Sequence, residues 1–233
     1  VAAAIDIYSQ HNTRGELDFY DAAARTGELT SSWIADRATF LALKSAANLA
    51  NVTQMLSASV DAQTRFTDVA QKYSLLVDSG GQINVSRHFA FGSDSADRLS
   101  GATEPDRLYG GTGNDHLIGR GGNDYLEGGR GTDLYQYNAS TVSGQVNDGD
   151  DVIRDLDGKG ALRYTYFSGL GGAQSTIIFD ASDKRTDTEW RSATDKFIFT
   201  KAGADLVITI NGDAGGTITL RDFPDGDFGI PLR

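Results

Sequence analysis

Five aspartates recur at nine-residue intervals through the middle of the chain. They are Asp97, Asp106, Asp115, Asp124 and Asp133. A glycine stands five residues before each one, at Gly92, Gly101, Gly110, Gly119 and Gly128. An apolar or aromatic residue stands two places after each one, at Leu99, Leu108, Leu117, Leu126 and Tyr135. Three columns in one register indicate a structural repeat in which every turn presents one carboxylate.

This pattern favours the binding of a hard cation by oxygen. Glycine lets the backbone turn through positive φ and lets carbonyl groups approach an ion without a Cβ in the way. Calcium takes about six to eight oxygen ligands, so one turn supplies part of the shell and a stacked turn completes it. One nonapeptide on each side makes an 18-residue coil. The spacing therefore predicts that Asp97 and Asp115, Asp106 and Asp124, and Asp115 and Asp133 share ions.

The predicted cofactor is several calcium ions, held by the aspartates and by the turns that precede them. Asp151 lies 18 residues after Asp133 and predicts a further site with it, or a cap. The predicted metal-binding residues are Asp97, Asp106, Gly110, Gly111, Thr112, Gly113, Asp115, Gly119, Gly121, Gly122, Asp124, Gly128, Gly129, Arg130, Gly131, Asp133 and Asp151.

The three residues after each aspartate predict a short strand whose middle side chain points inward. The column of leucines is then a core. The alternative is a flexible linker rich in glycine and aspartate, which would have a similar composition. A linker has no reason to keep leucine in phase, so the repeat is the preferred interpretation.

The sequence on either side of the repeat predicts two different flanks. Residues 1–77 are rich in alanine, with apolar positions at helical spacing. They predict helices over 2–9, over 16–25, and from a cap at Ser31 or Ser32 to about Asn48. Residues 73–77 and 82–89 predict a hairpin. After Lys159, apolar runs at 162–167, 175–179, 196–200, 206–210 and 217–220 predict strands, the last three as an antiparallel meander.

The expected fold is mainly β: a parallel β-roll with an α-helical N-terminal flank and an antiparallel β cap. The expected divisions are a helical flank over 1–77, a hairpin or lead-in over 78–91, the calcium-binding roll over 92–159, and a β-rich capping domain over 160–233. A cap is expected because the last coil of a solenoid exposes an apolar layer and a sheet edge.

The unit Gly110-Gly111-Thr112-Gly113-Asn114-Asp115-His116-Leu117-Ile118 resembles the nonapeptide of the RTX family, the haemolysin-type calcium-binding proteins of bacterial type I secretion. Ser93, Ser95, Ala102 and Glu104 replace glycines in the first two units. The flanks resemble RTX lipase-like or phospholipase-like enzymes at Trp33, Asp36-Arg37 and Phe40-Leu41, at 155–160, and at 218–223. The resemblance implies a secreted bacterial protein, with calcium ions and the type I secretion machinery as partners.

We therefore expect a calcium-binding module of a larger secreted protein, which folds when extracellular calcium binds between stacked turns. The chain opens on Val1 and contains a single methionine, so it is interpreted as part of a longer protein. The expected parent is a lipase-like hydrolase. The alternatives are an adhesin or pore-forming toxin with the roll as a scaffold, or a recognition module formed by residues 1–77.

Composition and motifs exclude several other functions. The net charge of −11 argues against a nucleic-acid partner, and the absence of cysteine removes thiolate metal sites. Membrane or lipid contact through Tyr20, Trp33 and Phe40 is the less favoured interpretation of aromatic residues at helical spacing. Neither a Gly-x-Ser-x-Gly nor a His-Glu-x-x-His motif occurs, so no catalytic residue is assigned.

Overall fold

The computed structural model of the chain describes residues 18–46, 53–57, 63–78, 86–140, 148–168, 173–177, 179–212 and 216–232. They contain one α-helix, α1 (Ser31–Ala46), and one short 3-10 helix (Asp227–Gly229). Their seventeen strands are β1 (Thr53–Ser57), β2 (Gln63–Asp68), β3 (Tyr73–Asp78), β4 (Ser86–Phe91), β5 (Arg98–Ser100), β6 (Arg107–Thr112), β7 (His116–Ile118), β8 (Tyr125–Arg130), β9 (Leu134–Ser140), β10 (Asp150–Arg154), β11 (Ala161–Ser168), β12 (Ala173–Ile177), β13 (Asp183–Lys184), β14 (Glu189–Arg191), β15 (Phe197–Ala202), β16 (Asp205–Ile210) and β17 (Thr217–Leu220).

The strands form two sheets. The long sheet has the order β1-β3-β2-β4-β6-β8-β10-β17-β16-β15-β14-β13, and the short sheet has the order β12-β11-β9-β7-β5. Successive repeats alternate between the sheets, and their inward side chains form one buried cluster that includes Leu99, Leu108, Leu117, Leu126 and Tyr135. The prediction of a mainly β protein is confirmed, and the parallel central strands are consistent with a β-roll.

The coil length changes once along the repeat region. Leu99 pairs with Leu117, Leu108 with Leu126, and Leu117 with Tyr135, each 18 residues apart. At the next coil the pairs are Leu126 with Ile153 and Tyr135 with Leu162, each 27 residues apart. The last coil therefore holds nine additional residues, in a stretch that includes positions 141–147, which lie outside the described residues.

The prediction that residues 1–77 are helical is correct only for α1. Residues 18–25 form turns and isolated bridges, and the Asp21 carboxylate accepts the Ala23 and Ala24 amides, so a helix over 16–25 is wrong for its described part. The predicted helix over 2–9 lies outside the described residues. Strand β2 forms a hairpin with β3 and also pairs in parallel with β4. The predicted hairpin of 73–77 with 82–89 is therefore wrong. Pairing with β4, a neighbour distant in sequence, is a tertiary contact that local helical spacing does not report.

Helix α1 begins one residue earlier than the predicted caps allow. The Thr30 hydroxyl, and not Ser31 or Ser32, accepts the amide of Trp33 at 3.1 Å. The helix buries Phe40, whose ring stacks on Phe66 and Phe91 with centroids 5.6 and 5.8 Å away. It also buries Arg37, which pairs with Asp68 at 2.7 Å.

The N-terminal flank, residues 18–78, rests on the outer side of the long sheet through buried polar contacts. The Thr30 hydroxyl donates to Glu127 at 2.8 Å, and the Tyr125 hydroxyl donates to the same carboxylate at 2.7 Å. Asp36 forms an ion pair with Arg107 and accepts the Tyr109 hydroxyl. Because their partners belong to the repeat strands, the flank reaches this position only when those strands are folded.

The predicted C-terminal meander is confirmed, since β15, β16 and β17 pair antiparallel in chain order. Strand β17 also pairs in parallel with β10, the last repeat strand of the long sheet. Phe197, Leu206, Ile208 and Ile218 are fully buried in the same cluster as the leucine column. The meander therefore covers an edge of the repeat region.

The long sheet runs from β1 to β13 and passes through the repeat region. The division at residues 77, 91 and 159 stays a prediction. In the parts of the chain that the structure describes, no helix is long and apolar enough to cross a membrane.

Candidate metal centre

Each repeat turn is a six-residue segment that ends at its aspartate: the 92–97, 101–106, 110–115, 119–124 and 128–133 turns. The Asp115 Oδ1 atom accepts the Asp97 amide at 2.7 Å, Asp124 Oδ1 accepts the Asp106 amide at 2.8 Å, and Asp133 Oδ1 accepts the Asp115 amide at 2.8 Å. The three aspartate pairs predicted from the 18-residue coil are therefore adjacent in the structure. One carboxylate oxygen of each later aspartate serves to align the stack.

The predicted pairing of Asp151 with Asp133 is wrong. Asp151 Oδ1 accepts the Asp124 amide at 3.0 Å, so Asp151 follows Asp124 on the opposite side of the roll. The nine additional residues of the last coil move Asp151 to this side. A spacing that is a multiple of nine preserves the repeat register but does not determine the side.

The second carboxylate oxygens divide the turns into two groups. In the first two turns this oxygen accepts a main-chain amide of its own turn: Asp97 Oδ2 from Ser93 at 2.6 Å, and Asp106 Oδ2 from Ala102 at 2.5 Å. In the last three turns it is buried and has no hydrogen-bond partner, at Asp115, Asp124 and Asp133. An unpaired buried carboxylate oxygen is costly and requires an explanation. These three oxygens face a space that a cation fits.

The backbone of the turns shows the same division. Gly111, Gly113, Gly122, Gly129 and Gly131 have φ between 98° and 138°. Arg120 adopts φ 76° at the place where other turns have glycine. In the first two turns no residue has positive φ, which agrees with the substitution of their glycines by Ser93, Ser95, Ala102 and Glu104.

Glycine at the first place of each turn is required by close approach. A Cβ on Gly110 would clash with Asp115 Oδ2 and with the carbonyl oxygen of Gly128, one coil further on. A Cβ on Gly119 would meet Asp124 Oδ2, and one on Gly128 would meet Asp133 Oδ2. The missing Cβ thus leaves a carboxylate oxygen and a carbonyl oxygen of adjacent coils beside the same open space.

We expect Gly110→Ala to weaken calcium binding by at least about tenfold, because the added methyl group displaces Asp115 and the Gly128 carbonyl. Calorimetric calcium titration measures the change. Gly203→Ala is the control, since its φ is also positive but nothing lies within 4 Å of an added Cβ. Equal calcium affinity in both variants would contradict the role assigned to Gly110.

Burial makes the charged form of these carboxylates unfavourable without a cation. Burial raises the pKa of Asp115 to about 7 and that of Asp133 to about 6, in each case with a contribution from a neighbouring aspartate. The pKa of Asp124 is raised to about 8 by burial and by the nearby Asp151. A bound divalent cation would favour the charged carboxylates.

Side chains alone do not complete a metal shell. Within the described ranges, no three histidine, aspartate or glutamate side chains converge on one point. Main-chain carbonyls of the turns must therefore supply most ligands, which suits calcium better than zinc. The Arg130 side chain pairs with Glu28 of the flank at 3.2 Å, and the Thr112 hydroxyl donates to Asp94 at 3.4 Å. Only the main chain of these two predicted residues is left for a cation.

The sequence analysis did not identify Asp148. This residue bridges to Gly121 at the last coil and is 1% exposed, with an unpartnered Oδ1. A signal was present: Gly149-Asp150-Asp151-Val152-Ile153 repeats the order of glycine, aspartate and apolar residue found in the units. Asp148 was not recognised because it occupies a place that is glycine, threonine or arginine in the three regular turns.

The stacked turns and their unpaired carboxylates define a repeat protein built to bind cations between coils. Residues 91–126 and 100–135 match the family model described as RTX calcium-binding nonapeptide repeat (4 copies). These residues make the chain an RTX repeat protein, and the resemblance noted from the sequence is confirmed. No curated protein matches the chain.

Proposed function

We propose that the repeat region, residues 92–159, is a calcium-dependent folding module of a secreted protein. The observation that carries the proposal is the set of buried, unpartnered Oδ2 atoms of Asp115, Asp124 and Asp133. Calcium repeats of this family and the match over residues 91–135 support calcium as the ion. When bound, calcium supplies the positive charge that neutralises these carboxylates and joins adjacent coils.

The turns at 110–115, 119–124 and 128–133 are the proposed binding turns. Their first glycines leave space beside the carboxylate, and their remaining glycines carry the positive φ that turns the chain. The 92–97 and 101–106 turns satisfy their own carboxylates through the Ser93 and Ala102 amides. We propose that these two turns fold without an ion of their own, and that Asp97 and Asp106 serve mainly to align the stack.

Folding and binding are coupled in this proposal. A chain rich in glycine loses much conformational entropy on folding. Bringing aspartates together without a cation adds repulsion and desolvation. Extracellular calcium modules bind with dissociation constants of about 0.1–1 mM, so calcium outside a cell fills the sites whereas calcium in the cytosol does not. Export of an unfolded chain through a type I system, followed by folding outside the cell, agrees with these energetics.

We further propose that the parent protein is a lipase-like hydrolase. The flank residues that carry this resemblance, Asp36 and Arg37, lie at the contact between α1 and the strands: Asp36 pairs with Arg107 of β6, and Arg37 pairs with Asp68 of β2. Esterase activity of the full-length parent tests this assignment. Its absence, together with cell binding or membrane permeabilisation, would favour the adhesin or toxin alternative.

Calcium titration of a matched pair of variants tests the folding module. Asp124→Asn keeps an Oδ1 acceptor for the Asp106 amide but replaces the unpaired oxygen by an NH2 group. We expect loss of one calcium ion or an affinity at least about tenfold weaker, by calorimetry with magnesium as the control ion. Asp97→Asn changes a carboxylate whose two oxygens already have partners and leaves the stoichiometry unchanged. Equal effects, or no calcium binding by the wild type, would refute the proposal.

A further inference from the structure

The segment 148–151 stacks on the 119–124 turn as its next coil. Asp148 bridges to Gly121, the Gly149 amide donates to the Gly122 carbonyl at 3.1 Å, and the Asp124 amide donates to Asp151 Oδ1 at 3.0 Å. The nine additional residues separate this segment from the regular repeats along the chain but not in space. It therefore takes the place of one more repeat turn.

Asp148 differs from its counterpart Gly121 by a carboxylate. Its Oδ2 accepts the Asn138 amide at 2.5 Å, whereas its Oδ1 has no hydrogen-bond partner although only 1% of the residue is exposed. Asp124, which is 2% exposed, has an unpartnered Oδ2 in the adjoining turn. Burial raises the pKa of Asp148 to about 9, with contributions from the charges of Asp151 and Asp124. Two buried carboxylate oxygens thus lack partners at one contact between coils.

The other side of the same coil already contains a cation. There Asp157 accepts the Lys159 ammonium group at 2.9 Å and the Gly131 amide at 3.3 Å. Asp155 accepts the Tyr135 hydroxyl at 3.0 Å and the Gly158 amide at 2.6 Å. In the described part of the chain, no lysine or arginine forms an ion pair with Asp148, Asp124 or Asp151. The two sides of the last coil therefore differ in whether the protein supplies its own positive charge.

We propose that Asp148 and Asp124 together bind a calcium ion at the contact between the 119–124 turn and the segment 148–151. Main-chain carbonyls of these turns complete its shell. This inference rests on the proposed calcium-binding function and adds a ligand from outside the nonapeptide motif. Because a second carboxylate raises calcium affinity, this site binds calcium more tightly than the sites with one unpaired carboxylate oxygen.

Calcium titration of Asp148→Asn in the complete chain tests the added ligand. The tightest binding event weakens by at least about tenfold, while the weaker events are retained. Asp150→Asn is the matched control, because Asp150 is exposed and its Oδ1 accepts the Thr217 hydroxyl at 3.0 Å. Unchanged titration of Asp148→Asn, with the wild type binding calcium, would overturn this inference alone. A wild type that binds no calcium would instead refute the proposed function.

A second variant and a structure cover the case in which Asp148→Asn does not fold. Asp148→Gly restores the residue found at the same place in the preceding coil, Gly121. It folds in calcium with the tightest event weakened. A crystal structure of the wild type in calcium shows an ion at about 2.3–2.6 Å from Asp148 Oδ1. Ions in the repeat turns without one at Asp148 would overturn the inference.

Discussion

Removal of calcium with a chelator is expected to unfold the repeat region and, with it, the N-terminal flank. Without the ion, the buried oxygens of Asp115, Asp124 and Asp133 are left without partners at neutral pH. The flank cannot stay in place because Glu127, Arg107 and Tyr109, which hold it, belong to repeat strands. Far-ultraviolet circular dichroism should lose most of its β signal and recover it on addition of calcium.

The two tryptophans of the chain test whether this unfolding is cooperative. Trp33 lies in α1 against Phe91, and Trp190 is buried in β14 beyond the meander. In Trp33→Phe and Trp190→Phe, the remaining tryptophan reports one end of the long sheet. Coincident calcium midpoints are expected, because the sheet joins both ends through the repeats. A flank that keeps its fluorescence in chelator would contradict the coupling.

Deletion of residues 196–233 is expected to abolish calcium-driven folding. The deletion removes β15, β16 and β17, with the fully buried Phe197, Leu206, Ile208 and Ile218. It also leaves the edge of β10 without the parallel partner that β17 provides. The apolar surface left on the repeats then faces water, and calcium alone does not offset that loss. Circular dichroism of the truncated chain should show no gain of β structure on titration with calcium.

A graded variant separates loss of the cap from loss of chain length. Ile218→Ala removes a buried side chain of β17 and should cost about 2–5 kcal/mol, which raises the calcium concentration at the folding midpoint. Ile198→Ala alters a partly exposed residue of β15 and should shift the midpoint much less. Normal calcium-driven folding of the truncated chain would show that the meander is not a cap.

Much of the repeat region was predictable because its period acts locally. A nine-residue unit with glycine, aspartate and leucine in phase fixes the turn, the ligand and the core position together. Leu108 and Leu117 are therefore buried and Asp115 lies beside Asp133, as predicted. The C-terminal meander was predictable for a similar reason, since alternating apolar residues between short turns favour antiparallel neighbours.

The flank was predicted less well because its strands depend on distant partners. Residues 63–68 pair with 73–78 in a hairpin, but their place in the sheet is set by β4 and then by β6. Residues 31–46 form a helix in agreement with their spacing, whereas the local pattern of 53–78 did not identify these strands.

The sequence by itself determined that the chain binds cations through a glycine and aspartate repeat, because period and residue type specify turn, ligand and core within each unit. Only the tertiary structure decided which carboxylates are left without partners. Asp97 and Asp106 accept amides of their own turns, whereas Asp115, Asp124 and Asp133 do not. It also decided that Asp151 follows Asp124 and that Asp148 joins them. Both depend on how coils stack, and nine additional residues change the side of the roll without changing the spacing.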